Sequence, residues 1–389
     1  MSAPIFPGVP QFLRAHNDRN ALDLFLNQGP LTRGELGELT GLSKMTAGQV
    51  VDRLEGRGLI RRVGEKAPRR GPASAVYGIV PSSSFVVGVE VGPKSVVAAC
   101  ADITGSLAGQ VELSTVDSGD SDDVVARAVV QAAGQADVPM DKVKRIVLGA
   151  PSGIDPATGR LPVTDELVRW RERLGPAVVV DTEANLAAVA EESTGAARGV
   201  PSFALLWYGR DIGLALMLNG VLHRGARGAA GDLGRLPVSG TMVPRGPQQR
   251  RRGAFPDLVS GSAVRELARE HGFPAGSAAD AVRAAVFAGA RGARVLDELA
   301  RRLASGVAAT CAVLDPHTIL LAGEVSRAGG SALTRRLQRE VATIMPTAPQ
   351  VTLAEVDEFP VLRGAVLTAV AQARDELLSS LDRAAPSNS

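Results

Sequence analysis

The stretch from Leu31 to Arg62 has the apolar spacing of two short helices joined by a tight turn, a pattern that few arrangements satisfy. Thr32 and Glu35 have capping-box spacing, so a helix can start there with its first amides satisfied. Leu36 and Leu39 fall on one face of that helix. Thr40-Gly41-Leu42 supplies a turn in which Gly tolerates positive φ. Ser43 then caps a second helix whose buried face is Val50, Val51 and Leu54. A helix-turn-helix sets its second helix in the DNA major groove, N-terminal residues leading. Lys44, Thr46 and Gln49 are therefore candidates for base edges, since Gln suits adenine and Lys suits guanine, and Met45 lies among them. Thr32, Arg33, Ser43 and Arg53 are candidates for DNA phosphates. The alternative is a small helical hairpin inside a larger core.

The next segment favours a DNA reader. Arg61 and Arg62 lead through Lys66 to Arg69-Arg70-Gly71-Pro72 and then to the strand-like run Ala75 to Val80. Two short strands joined by a basic loop form a wing, and Arg69 and Arg70 suit a narrow minor groove, where negative potential is focused. The plainer reading is a solvated basic loop. Residues 1–80 carry eleven Arg and Lys against seven Asp and Glu, a net of +4, whereas the whole chain is only +2. Positive charge is concentrated where phosphate contacts need it.

A chain of 389 residues fits two or three domains at about 150 residues each. Its 45% hydrophobic content supports a large core. No apolar run reaches the roughly 18 residues of a membrane span, and the N-terminus lacks a signal-peptide pattern. Cys100 and Cys311 stand far apart in apolar contexts and read as reduced thiols rather than a disulfide. A cytoplasmic location is expected, with no membrane partner.

Beyond residue 80 the pattern changes to strands alternating with helices. Strands are expected at 85–91, 95–102, 107–113, 145–150, 178–181, 203–208, 213–218 and 318–322, with helices near 122–136, 183–192 and 262–311. This is an α/β body with mixed sheets. The expected organisation is a winged helix-turn-helix over 1–80, a linker at 81–84 and a tail at 383–389.

After the winged helix come Gly-Val-Glu-Val-Gly at 88–92, Asp-Thr-Glu-Ala-Asn at 181–185, the long run from Asn219 to Arg235, and Ile-Leu-Leu-Ala-Gly-Glu-Val-Ser-Arg-Ala-Gly at 319–329. In that order they resemble the ROK family, which groups sugar kinases with sugar-responsive transcriptional repressors. The winged helix, with His16-Asn17 placed before its first helix, is similar to the repressor branch. The resemblance implies an actin-like ATPase (ribonuclease H-like) body in two lobes, residues 85–200 and 201–382, the last helix packing back on the first lobe. It also implies a homodimer or homotetramer bound to a double-stranded DNA operator.

Several positions depart from the family's patterns. The first phosphate loop, Asp-x-Gly-Gly-Thr in the kinases, reads Glu90-Val91-Gly92-Pro93-Lys94, and Pro93 has no N–H to offer a phosphate. The second, Gly-Thr-Gly-Ile-Gly, reads Gly209-Arg210-Asp211-Ile212-Gly213, which sets a carboxylate where a polyphosphate would lie. The catalytic Asn-Asp-x-Asn reads Thr182-Glu183-Ala184-Asn185. Glu183 is one methylene longer than aspartate, and misplacement by about 1 Å costs about a hundredfold in rate. Glu183 reads equally as an acidic residue in the first turn of a helix. The zinc pattern is replaced by Gly231-Asp232-Leu233-Gly234-Arg235 and a loop holding Arg250-Arg251-Arg252, with no Cys or His in it. That arginine run reads as a solvated loop or as a supplementary phosphate contact. The family's sugar-holding Glu falls near Pro256, with Asp257 a weak substitute.

No ATP, zinc or other cofactor is expected, nor catalysis. Thr182, Glu183, Asn185, Asp232 and Arg235 are the candidate effector residues. Two readings stay open. Arg235 could admit a sugar, sugar phosphate or sugar acid, or it could pair with Asp232 in a vestigial pocket.

Overall fold

The computed structural model describes residues 9–67, 73–92, 94–115, 121–150, 165–175, 177–209, 212–226, 228–238 and 254–383. The chain opens with α1 (Val9–Gln28), β1 (Leu31–Thr32), α2 (Arg33–Thr40), α3 (Lys44–Gly56), β2 (Ile60–Lys66) and β3 (Ser74–Ile79). The capping box closes, with Glu35 N–H donating to Thr32 Oγ1 at 3.2 Å and Thr32 N–H to Glu35 Oε2 at 2.8 Å. Gly41, at φ +71°, ends α2 in the left-handed region, and Ser43 Oγ accepts the Thr46 N–H at 3.2 Å to start α3. Leu36, Val50, Val51 and Leu54 are buried together with Ala21, Leu22 and Phe25 of α1. Leu39 departs from the periodicity: it is 49% exposed and lines a shallow hollow with Asn17, Asn20 and Leu42.

The three strands pair antiparallel in the order β1-β3-β2. Their register shifts between Arg62 and Gly64, a bulge that leaves Val63 over Gly78, where a Cβ would meet its methyl at 3.3 Å. His16 and Asn17 do not precede the first helix but lie inside α1. Its buried face runs Asp18, Ala21, Leu22, Phe25, so an aspartate interrupts the apolar pattern that would reveal it.

A turn at Pro81–Ser83 leads into the body. The first lobe contains β4 (Phe85–Val91), β5 (Ser95–Asp102), β6 (Leu107–Ser114), α4 (Ser121–Gln135), β7 (Val143–Ala150), α5 (Asp165–Leu174), β8 (Val178–Thr182) and α6 (Glu183–Thr194). The second contains β9 (Phe203–Tyr208), β10 (Ile212–Leu218), β11 (Val221–Leu222), α7 (Pro256–Val259), α8 (Gly261–Glu270), α9 (Ala278–Phe287), α10 (Ala293–Leu314), β12 (Thr318–Ala322), α11 (Glu324–Ile344), β13 (Gln350–Leu353) and α12 (Pro360–Arg383). The sheets run β6-β5-β4-β7-β8 and β11-β10-β9-β12-β13. Each has an antiparallel three-strand meander extended by two parallel strands, so the lobes share one topology. Residues 384–389 of the expected tail lie outside the described residues.

Although α12 follows the second lobe in sequence, it packs on the first. Val361, Leu362, Ala365, Val366, Ala369, Val370 and Ala373 recur at helical spacing and meet Val86, Val97, Ile103, Val147 and Leu186. Three glycines allow the backbones to approach. A Cβ at Gly88 would lie 2.7 Å from Val366 N, one at Gly149 2.1 Å from Val361 Cγ1, and one at Gly364 1.8 Å from Leu186 O. The far end of the helix enters another core, where Leu378 and Leu381 pack with Leu22, Phe25, Leu36 and Leu54. Arg19 pairs with Asp382 at 2.6 Å beside them.

Replacing Gly364 by Ala sets two effects against each other. Helix propensity gains about 1 kcal/mol, whereas overpacking against a backbone oxygen costs about 1–3 kcal/mol. Backbone cannot swing aside as a side chain can, so Gly364→Ala should lower the denaturation midpoint. A raised midpoint would contradict the close approach of α6 and α12.

Candidate DNA interface and effector pocket

The first turn of α3 leaves its polar face uncovered. Ser43, Lys44, Met45 and Gln49 are exposed and Thr46 half-buried, with Met45 76% exposed. A solvent-facing methionine at a helix N-terminus offers an apolar surface suited to a thymine methyl. Arg57 and Arg61 are also exposed just beyond α3. Arg69 and Arg70 lie outside the described residues.

Thr32, Arg53 and Arg33, all expected phosphate ligands, are engaged inside the fold. Thr32 is 7% exposed, and both its N–H and its hydroxyl donate to Glu35, so it serves the capping box rather than a phosphate. Arg53 donates through Nε and Nη2 to Asp18, the closest contact 2.6 Å, and the Asp18 side chain is only 4% exposed. A buried carboxylate needs such a partner, and Arg supplies a bidentate one. Arg33 pairs with Asp52 at 2.5 Å and lies over the Tyr77 ring, 5.4 Å from its centroid.

In the body, Thr182 caps α6, its Oγ1 accepting the Asn185 N–H at 3.2 Å, with Glu183 in the first turn. Asn185 is buried and donates through Nδ2 to Asp181 Oδ1 at 2.7 Å. The other oxygen of Asp181 accepts Arg224 Nε at 3.1 Å and Nη2 at 2.7 Å, which ties the end of β8 in the first lobe to the loop after β11 in the second. Asp181 and Arg224 each fall inside a quoted motif, but at 43 residues apart along the chain nothing in the sequence pairs them. Asp232 accepts the Gly234 N–H at 3.1 Å and pairs with Arg235 at 3.3 Å. Both acidic groups thus carry their own arginine, and Arg224 and Arg235 remain about half exposed.

The region of the phosphate loops holds a further carboxylate. Pro93, Arg210 and Asp211 lie outside the described residues. Gly92 N–H is taken by Ser95 O at 2.9 Å. Gly323, at φ +89°, brings the start of α11 so close to the second loop that a Cβ there would meet Tyr208 O at 2.6 Å and Gly209 N at 2.9 Å. The next residue, Glu324, occupies the first turn of a short helical segment, which breaks at Gly330 (φ +50°, ψ −149°) before α11 runs on to Ile344. Glu90 accepts the Leu362 N–H at 3.0 Å in the first turn of α12. Burial pushes its carboxyl up from the usual range, opposed by that N–H and by Arg327.

Asp257 sits in the first turn of α7, behind Pro256. Residues 239–253, with Arg250, Arg251 and Arg252, lie outside the described residues. No group of three or more His, Cys, Asp or Glu that could hold a metal occurs among the described residues.

A capped helix-turn-helix with a paired wing sheet, followed by two lobes of one topology, defines a DNA-binding domain joined to a sugar-kinase-like body. The chain belongs to the ROK family, whose model matches residues 86–372, and a MarR family model matches residues 20–71. It is 26% identical over 299 residues to a glucokinase of Halalkalibacterium halodurans, covering 68% of this chain and 88% of that one. It is 21% identical over 248 residues to the xylose repressor of Bacillus subtilis, covering 58% and 62%. A 36% identity to the bifunctional enzyme NanE/NanK of Brucella suis spans 46% of this chain but only 32% of that protein. In structure it resembles a ROK family transcriptional regulator homologous to the E. coli MLC protein, with a TM-score of 0.70, 19% identity, and 95% and 99% of the two chains covered.

Removing Arg53 should leave Asp18 buried without its partner, a loss of about 3 kcal/mol by the usual cost of breaking such a pair. Thermal denaturation of Arg53→Ala should show that loss, and the double variant Asp18→Leu/Arg53→Met should recover most of it. An unchanged melting temperature with a weaker salt dependence of DNA binding would restore the phosphate role.

Proposed function

We propose that the chain is a sequence-specific DNA-binding transcriptional regulator, a repressor, whose ROK body no longer transfers phosphate. It binds a double-stranded operator as a homodimer or homotetramer, each α3 entering a half-site roughly 34 Å, or a multiple of that, from its mate. The observation that carries this reading is the uncovered polar first turn of α3 on a capped helix-turn-helix. The protein acts in the cytoplasm, and no described helix is long and apolar enough to cross a membrane.

The body works without ATP or zinc and reports on a small sugar, sugar phosphate or sugar acid. Loss of catalysis is supported by Pro93 and Asp211 in the sequences of the phosphate loops. Thr182, Glu183, Asn185, Asp232 and Arg235 line the effector site, joined by Asp181 and Arg224. An active sugar kinase with a DNA-binding arm is the second reading, favoured by the glucokinase relative and by the carboxylate of Glu183. A constitutive DNA binder is the third, favoured by the arginine already paired with each pocket aspartate.

Thermal melting of the full chain against sugars, sugar phosphates, sugar acids and ATP separates the three. A ligand at a hundred times its Kd stabilises the native state by about 2.7 kcal/mol. A shift with a sugar or sugar acid and none with ATP is the expected result. A clear ATP shift with turnover would establish the kinase, and silence across the panel alongside DNA binding would favour the vestigial pocket.

A further inference from the structure

The first turn of α2 grips both strands of the β2–β3 hairpin and the reading helix as well. Arg33 lies over Tyr77 of β3 and pairs with Asp52 of α3. Tyr77 is 7% exposed and faces Leu31 of β1 on one side and Arg62 of β2 on the other, so this contact sits on the middle strand of the sheet. Two residues further on, Glu35 uses both its oxygens. Oε2 accepts the Thr32 N–H and hydroxyl at 2.8 and 2.9 Å, and Oε1 accepts the ammonium of Lys66, the last residue of β2.

Lys66 first, and then Thr32, hold the Glu35 carboxyl well below the usual range, at about 2, so it stays ionised at neutral pH. An exposed ion pair contributes little when both side chains must be immobilised to form it. Here the capping box has already fixed the carboxylate, and Lys66 alone loses freedom on pairing. The bulge at Val63 twists β2 between its two ends, which makes an anchor at the Lys66 end consequential.

We infer that Arg33, Glu35 and Lys66 are positioning residues that set the angle between the β2–β3 hairpin and α3, and with it which flanking base pairs the hairpin reaches. The inference rests on the DNA-binding reading above and reassigns Arg33 from phosphate ligand to strut. The two roles leave different signatures. Removing a phosphate ligand weakens binding to all sequences and reduces the salt slope by about 1. Removing a strut leaves the slope intact and relaxes selection at the flank.

The test uses the full chain and a random-sequence duplex library, with the enriched duplex then titrated against Glu35→Gln, Lys66→Met and their double variant at several salt concentrations. Glu35→Gln retains a capping-box side chain, so α2 still starts at Thr32. Each single variant should weaken binding about fivefold, the double no more than either alone, with the salt slope unchanged and flanking positions degenerate on reselection. Lys66→Arg should keep the original flank. A reduced slope for Lys66→Met with additive loss in the double variant would make Lys66 an independent phosphate contact and overturn the inference, as would unaltered flank selection in all variants. Failure of the unmodified chain to enrich any sequence would instead overturn the DNA-binding reading itself.

Discussion

The contact between Gly364 and Leu186 governs much of this molecule. With no side chain at Gly364, α12 lies against the backbone of α6, and the rows of small and branched residues on either side interlock over the first-lobe sheet. The same helix then supplies Leu378 and Leu381 to the core beneath the helix-turn-helix. One rigid element therefore touches the helix that starts at Thr182 and Glu183 and the domain that presents Lys44 and Gln49. Its first turn is held by Glu90 and its last by Arg19, so both ends are tied to the units they serve.

Much of this was legible in the sequence wherever the signal is local. Capping-box spacing, a glycine at a helix end and β-branched runs report interactions within a few residues, and α2, α3 and the strands follow them closely. What depends on long-range pairing was not legible. Arg53 has the composition and placement of a phosphate ligand until Asp18, 35 residues upstream, is seen beside it. The same aspartate hides α1, because a charge on the buried face breaks the apolar repeat. Asp181 and Arg224 are 43 residues apart and meet only when the lobes assemble.

The residues around the start of α6 are tied to one another before any ligand is considered. Thr182 and Asn185, read as sugar contacts, also hold the start of α6 and the orientation of Asp181. Arg224 and Arg235 pair with the acidic groups Asp181 and Asp232 from within the chain.

The dependence of the head on α12 has a consequence for biosynthesis. The helix-turn-helix leaves the ribosome well before Leu378 and Leu381, the leucines that complete its core. At roughly 5–20 residues per second, the head waits tens of seconds for its final packing partners. Nascent and prematurely terminated chains carry the reading helix without the buried leucines that steady it. The core behind the helix-turn-helix is thus complete only in a chain that carries α12.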